Sequence, residues 1–274
     1  MIRLILVRHG VTEWNQAGRY QGHHDVPLGA TGRAQAVSAA ERLRGESITT
    51  AFSSDLSRAH ETARIILRGR SVSATPTPSL REMSWGAWEG LSGAEAAERF
   101  GAEWDAWTRD PVNERPPGAG ESFGELAVRV RDFYHSTVEA LARDGDGVPS
   151  RFLYRTAGED ARRAMHHTAL FVSHGGPLRA LLAHCLEVPL HLYWRFGIRP
   201  ASVSILDVYP EGAIAEVIGD TSHLEVPSSE SSVAGLDLGE APNTGPHQFV
   251  TPPPSLTLPR KGGGDYFSSS RRQP

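Results

Sequence analysis

Leu4-Ile5-Leu6-Val7-Arg8-His9-Gly10 and Ala169-Leu170-Phe171-Val172-Ser173-His174-Gly175-Gly176 are two short apolar runs that each end in a histidine followed by glycine. Runs of this length, bounded by glycine and rich in branched and aromatic side chains, read as buried strands of a parallel sheet. Open parallel sheets bind ligands outside the carboxyl ends of their strands. Two adjacent strands of this kind would therefore aim His9 and His174 into one crevice, which is a catalytic arrangement.

Working outward, strand and helix signals alternate along residues 1–220 and then stop. A Gly-rich polar loop from Gly10 to Ala30 leads to a helix from about Thr31 to Arg44, with Ala36, Val37, Ala40 and Leu43 on one face. A strand is expected from Ile48 to Ser53. The next helix, Asp55 to Leu67, should bury Leu56, Ala59, Ala63 and Ile66, and a weaker strand follows at Val72 to Ala74. Ser92-Gly93-Ala94-Glu95 and Ser122-Phe123-Gly124-Glu125 fit the capping box and mark two helix starts. The second helix carries Phe123, Leu126, Val130, Phe133 and Leu141 on its apolar side. After the His174 strand, a helix from Pro177 to Leu186 precedes two strands, Val203 to Tyr209 and Ala213 to Ile218, around a turn at Pro210 to Gly212. The series predicts one domain, a three-layer α/β/α sandwich on a mostly parallel sheet.

Two segments stand apart. Residues 144–167 are long for a connection and carry Arg151, Arg155, Arg162 and Arg163, so they are expected to be a surface insertion or lid. Residues 221–274 lose apolar periodicity and fill with Pro, Ser and Gly; such a composition cannot offset its ordering entropy, and a disordered tail is expected. Lys261 before three glycines lacks the order of a P-loop.

Composition narrows the function. A formal charge of −4 gives no global attraction to nucleic acid or to an anionic membrane, and no run is apolar enough to span one. The single cysteine, Cys185, fits a reducing compartment and reads as a buried apolar residue, and Met1-Ile2-Arg3-Leu4 starts a strand directly. A cytoplasmic location is expected. Positive charge must then be concentrated locally if the ligand is an anion.

Such a concentration is present at the strand ends. Arg8, His9, Thr12, Glu13 and Asn15 follow the first strand, Arg58 follows the second, and His174 ends the later one. Two guanidinium forks, two imidazoles and an amide suit a phosphoryl group, because planar forks match its oxygens. A cation at about 4 Å contributes roughly 4 kcal/mol at an effective dielectric near 20, before desolvation. Two or three cations hold a dianion despite the negative net charge.

Leu6 to Asn15 resembles the signature of the histidine phosphatase superfamily, the phosphoglycerate mutase-like enzymes. The likeness continues through Gly18 to Leu28, Ser53 to Ala63, Leu80-Arg81-Glu82, Gly86 to Gly90, Gly120-Glu121-Ser122 and Ser173 to Gly176. It implies that His9 is the nucleophile and forms a phosphohistidine, and that Arg8, Arg58 and His174 bind the transferring oxygens. It further implies that Glu82 is the general acid and base, that Asn15, Gln21, Gly22 and Gly175 bind substrate, and that neither metal nor cofactor is required. The implied partner is a small phosphate ester.

The same resemblance covers hydrolases and mutases. Mutases of the family carry a lysine after the turn corresponding to Trp88-Glu89-Gly90 and later an arginine pair that grips the substrate carboxylate. Those positions hold Gly93 and Thr108-Arg109 here. The pattern therefore favours a phosphatase of the alpha-ribazole and broad-specificity type, with a mutase and a noncatalytic phospho-ligand binder as alternatives. Trp85, Trp88, Trp104 and Trp107 are either a partly apolar mouth or core. His23-His24-Asp25 and His166-His167 fit no common metal spacing and read as loop histidines.

Overall fold

The computed structural model describes residues 1–143, 151–158 and 167–224, all within one compact unit, Met1–Gly235. The tail beyond residue 224, and residues 144–150 and 159–166 of the expected insertion, lie outside the described residues. Strands β1 (Ile2–Arg8), β2 (Thr50–Ser54), β3 (Thr75–Thr77), β4 (His167–Ser173), β5 (Val203–Tyr209) and β6 (Gly212–Asp220) form one sheet in the order β3-β2-β4-β1-β5-β6. β1 is central. It pairs in parallel with β4, from Ile2 opposite His167 to Arg8 opposite Ser173, and antiparallel with β5. β2 runs parallel to both β3 and β4, and β5 alone reverses the sense, antiparallel to β1 on one side and to β6 on the other.

Alternation along β1 builds the three layers. Leu4 and Leu6 point to a core shared with Leu126 and Val130 of α5 (Phe123–Arg143), with Leu178 and Leu181 of α7 (Gly175–Cys185), and with Trp107 of α4 (Gly93–Arg109). Ile5 and Val7 point to the other face, against Ala39 of α2 (Ala30–Arg42) and Ala59 and Ala63 of α3 (Ser57–Ile66). A strand buried on both faces needs apolar side chains at every position, which is why β1 reads as a continuous run. The remaining α-helices among the described residues are short: α1 (Glu13–Gln16) and α6 (Arg151–Thr156).

Both expected capping boxes form: Ser92 and Ser122 each accept from the backbone N–H three residues on, and Glu95 and Glu125 accept from the cap N–H in return. Three readings need correction. The buried stripe of α2 is Gly32, Ala36 and Ala39, with Leu43 following it, and Val37 is 50% exposed; one step around a helix is 100°, so Val37 falls on the shoulder of that stripe. β3 lies at Thr75–Thr77 rather than at Val72 to Ala74, and it includes Pro76. Proline is tolerated there because β3 is an edge strand, with no ladder partner for the missing N–H. His167 opens β4 and is not part of the insertion.

The loop after β1 is pressed onto α2 at two glycines. A Cβ on Gly10 would lie 2.3 Å from the Gly32 carbonyl oxygen, and one on Gly32 would lie 2.2 Å from that of Val11. Neither contact is to a flexible side chain, so the backbone would have to move. Gly32→Ala should cost about 1–3 kcal/mol, seen as a lower urea midpoint with an unchanged slope; an unchanged midpoint would show that the loop yields freely.

Candidate active site

Because β1 and β4 are in register, their last residues align and the histidines that follow are neighbours. His9 N–H donates to the Ser173 carbonyl at 2.9 Å, and the two rings stand edge to face with centroids 5.0 Å apart. Both are buried, His9 at 2% and His174 at 0% exposure. The segment leading into β5 supports His9 from the other side, Ala201 N–H donating to its carbonyl.

Their hydrogen bonds assign unlike tautomers. His9 Nδ1 lies 2.7 Å from the Gly10 carbonyl oxygen; a carbonyl only accepts, so Nδ1 carries the hydrogen and Nε2 keeps its lone pair. Arg58 Nε donates to His174 Nδ1 at 3.3 Å. An arginine only donates, so the proton of neutral His174 sits on Nε2, which is buried without a hydrogen-bond partner. Burial, followed by the charges of Arg58 and Arg8, pushes both imidazoles well below their ordinary pKa. The site thus offers one nitrogen lone pair and one N–H, side by side and uncharged.

Arg58 occupies the first turn of α3 with no exposed surface. Its Nη1 and Nη2 donate to the carbonyls of His24 and Gly22 at 2.9 and 2.8 Å. Gly22 has φ +51°, and a Cβ there would lie 2.1 Å from Glu89 Oε1, so both conformation and space require glycine. Glu89 fixes this turn by accepting from the N–H groups of His23, His24 and Trp85. Arg8 Nη1 donates to Ile198 O at 2.8 Å while Nε is buried without a partner. Burial, then the charge of Arg179, lowers the Arg8 pKa to about 10.

Glu82 belongs to the loop after β3. Its Oε1 accepts from Met83 N–H at 2.9 Å and from Gly176 N–H, at the start of α7, at 3.1 Å. The loop itself is tied down by Ser173 Oγ, which donates to the Leu80 carbonyl, and by Arg129, which donates to the carbonyls of Ser79 and Arg81 while paired with Glu121. Farther along the first loop, Thr12 N–H donates to Asn15 Oδ1 at 3.1 Å, which leaves the single Thr12 hydroxyl hydrogen for Gln21 Oε1 at 3.0 Å. With their oxygens so engaged, Asn15 and Gln21 keep amide N–H groups as donors.

The structure therefore joins Arg8, His9, Arg58 and His174 directly, Gly22 through Arg58, and Glu82 through the start of α7. Gly175 lies against Arg8. Trp88 and Trp107 are core, 0% and 4% exposed, whereas Trp85 and Trp104 are half-buried and pack against them in stacked, tilted and edge-to-face pairs, so the mouth reading is withdrawn for Trp88 and Trp107. Cys185 is buried, and that burial lifts its thiol pKa to about 12. His24 stacks on Trp14, and Asp25 caps α3 at Ser57. Sequence reading missed Glu89, Arg129 and Arg179. Arg179 carried a signal, since it stands one helical turn after Gly175, on the same face.

A six-stranded sheet with helices on both faces, ending in neutral imidazoles among guanidiniums, gathers the donors that suit an anion such as a phosphoryl group. The family model for the histidine phosphatase superfamily (branch 1) matches residues 4–148 and 153–221, and the chain belongs to that superfamily. It is 33% identical over 237 residues to the probable phosphoglycerate mutase GpmB of Yersinia enterocolitica, covering 83% of this chain and 97% of that protein. To phosphoserine phosphatase 1 of Hydrogenobacter thermophilus it is 30% identical over 224 residues, 82% of this chain and 95% of the other. The crystal structure of a putative alpha-ribazole-5'-P phosphatase from Escherichia coli superposes with a TM-score of 0.66 at 29% identity, over 80% of this chain and 96% of that one.

Two outcomes follow from this geometry. His9 and His174 resist protonation when folded but accept protons near pH 6.5 when unfolded, so the unfolded state binds more protons below that pH. Stability should fall as pH drops below about 6.5, by up to about 1.4 kcal/mol per pH unit for each imidazole. Urea unfolding between pH 7.5 and 5.5 should show this, with a shallower fall in His174→Gln. Glu89→Ala should release the Gly22 to His24 turn and lower kcat/KM by about one to two orders of magnitude, since small misplacements of a catalytic cation are costly; steady-state kinetics would read it.

Proposed function

We propose that this protein is a phosphomonoesterase that hydrolyses a small organic phosphate through a phosphohistidine on His9. The observation that carries the reading is the pair of unlike tautomers, a lone pair on His9 Nε2 beside an N–H on His174 Nε2. His9 Nε2 attacks phosphorus while the bond to the ester oxygen breaks, and Glu82 delivers a proton to that oxygen. Arg8, Arg58 and His174 hold the equatorial oxygens, with Asn15 and Gln21 as further donors. Glu82 then takes a proton from water, the water oxygen bonds to phosphorus, and the P–N electron pair returns to His9. Positioning and charge stabilisation supply most of the acceleration in such transfers, and a positioned acid adds about 10²–10⁴-fold for a poor leaving group.

Hydrolysis is favoured over mutase action by the residues of α4. Gly93 begins this helix, and Arg109 ends it exposed, its Nε bonded to the Asp105 carbonyl. Two of the three cations that the resemblance assigns to mutases, the lysine and one arginine of the pair, are absent from those positions. The solution location consistent with composition is the cytoplasm.

His9→Ala should abolish both turnover and acid-labile phosphoenzyme, measured with a labelled aryl phosphate; label persisting in that variant would dismiss His9 as nucleophile. Glu82→Gln should lower kcat on alkyl phosphates by about 10²–10⁴-fold and on aryl phosphates with good leaving groups far less. Interconversion of 3- and 2-phosphoglycerate faster than hydrolysis would establish a mutase instead.

A further inference from the structure

We propose that His23 is a positioning residue for proton delivery: its imidazole fixes the backbone of Glu82 relative to Arg58, the cation at the phosphoryl pocket. The proposal rests on the phosphomonoesterase reading and deepens it, since it names what sets the proton donor against the transferring group. His23 Nε2 lies 2.9 Å from the Glu82 carbonyl oxygen. A carbonyl only accepts, so Nε2 carries the hydrogen and donates it. The other donor to this carbonyl, Arg129 Nη2, stands at 3.5 Å, the outer limit of a hydrogen bond. Arg129 makes its closer bonds to the Ser79 and Arg81 carbonyls, at 2.9 and 3.1 Å. It therefore secures the approach to Glu82, while His23 makes the short contact to Glu82 itself.

The place of His23 in the chain gives this contact its meaning. It is the middle residue of the turn whose flanking carbonyls, those of Gly22 and His24, accept from Arg58. The turn thus holds the cation with its backbone and the Glu82 peptide with its one central side chain. A second bridge runs beside the first: Glu89 Oε1 accepts from His23 N–H at 2.9 Å and from Trp85 N–H at 3.2 Å, three residues past Glu82. The Glu82 carboxyl is held mainly at one oxygen, Oε1, by the N–H groups of Met83 and Gly176. With Oε1 pinned, the reach of Oε2 follows from where the Glu82 backbone stands.

The two bridges differ in what their loss disturbs. Glu89 also accepts from His24 N–H, so removing it loosens the carbonyls that hold Arg58. Removing the imidazole leaves all three Glu89 contacts and both Arg58 contacts in place. His23 is exposed, so its ring can be exchanged without opening a cavity in the core. A proton donor works only within about 2.6–3.2 Å of the oxygen it serves, so a displaced carboxyl forfeits part of its effect. That loss falls on esters whose leaving oxygen needs the proton, and spares those whose leaving group departs as an anion.

The test uses two variants of the full chain and a series of phosphate esters running from simple alkyl to nitrophenyl. His23→Phe keeps an aromatic ring and removes the N–H; His23→Gln places an amide N–H near the position of Nε2. His23→Phe should lower kcat/KM on alkyl esters by about 10-fold, a fraction of what a positioned acid supplies, and on nitrophenyl phosphate by less than about 2-fold. His23→Gln should recover most of that loss, and a failure to recover it would overturn the role of the N–H. Equal losses across the series would place the effect on Arg58 and the phosphoryl pocket and overturn the proposal, as would no loss at all. If wild type hydrolyses none of these esters, the phosphomonoesterase reading fails separately, and amide hydrogen exchange decides the positioning. In His23→Phe the N–H groups of Met83 and Gly176, which the Glu82 carboxyl holds, should exchange faster relative to the amides of β1; an unchanged ratio overturns it.

Discussion

The structure depends on a positive charge buried without a carboxylate beside it. Arg58 lies wholly inside the protein, held by two backbone carbonyls and the ring nitrogen of His174. Burying an ion costs several kcal/mol unless something compensates it, and here neutral acceptors do so only in part. Burial first, and the Arg58 charge second, keep both imidazoles uncharged, and Arg8 Nε and His174 Nε2 are buried donors without a partner. On the proposed function these are the donors that a phosphoryl group would engage, in line with catalysis by preorganised charge.

The surrounding fold serves that constraint. Holding Arg58 requires the carbonyls of Gly22 and His24 to face inward, a turn that Glu89 sets with three N–H contacts. Holding Glu82 against the start of α7 requires the loop before it to be fixed, and Arg129 on α5 does this with its own charge satisfied by Glu121. These carboxylates act at a distance from the reacting atoms. They organise backbone, and through it the cations.

Much of this was legible from residue order. Strands buried on both faces advertise themselves as unbroken apolar runs, and a capping box is a local pattern that needs no tertiary information, so β1, β4 and the starts of α4 and α5 could be read directly. The His-Gly endings placed the site. Edge strand β3 was misplaced because Pro76 looks like a strand breaker until its edge position is known. Val37 was assigned inward because composition alone cannot tell a stripe from its shoulder. Glu89, Arg129 and Arg179 escaped notice because each works through contacts between segments distant in sequence. Membership of the superfamily adds the chemistry but not the ester, as relatives with mutase and phosphatase names stand at similar identity.

The last described turn also bears on where the catalytic unit closes. Residues Ser222–Leu224 form a short 3₁₀ turn after β6. From it His223 Nε2 reaches the Ala201 carbonyl at 3.0 Å, and Ala201 N–H in turn holds the His9 carbonyl. Ala201 itself sits at φ +57°, an uncommon backbone conformation for a residue with a side chain. A chain cut after residue 220 would lose this latch, whereas one cut after 224 would keep it. An imidazole three residues beyond β6 thus steadies the backbone behind His9.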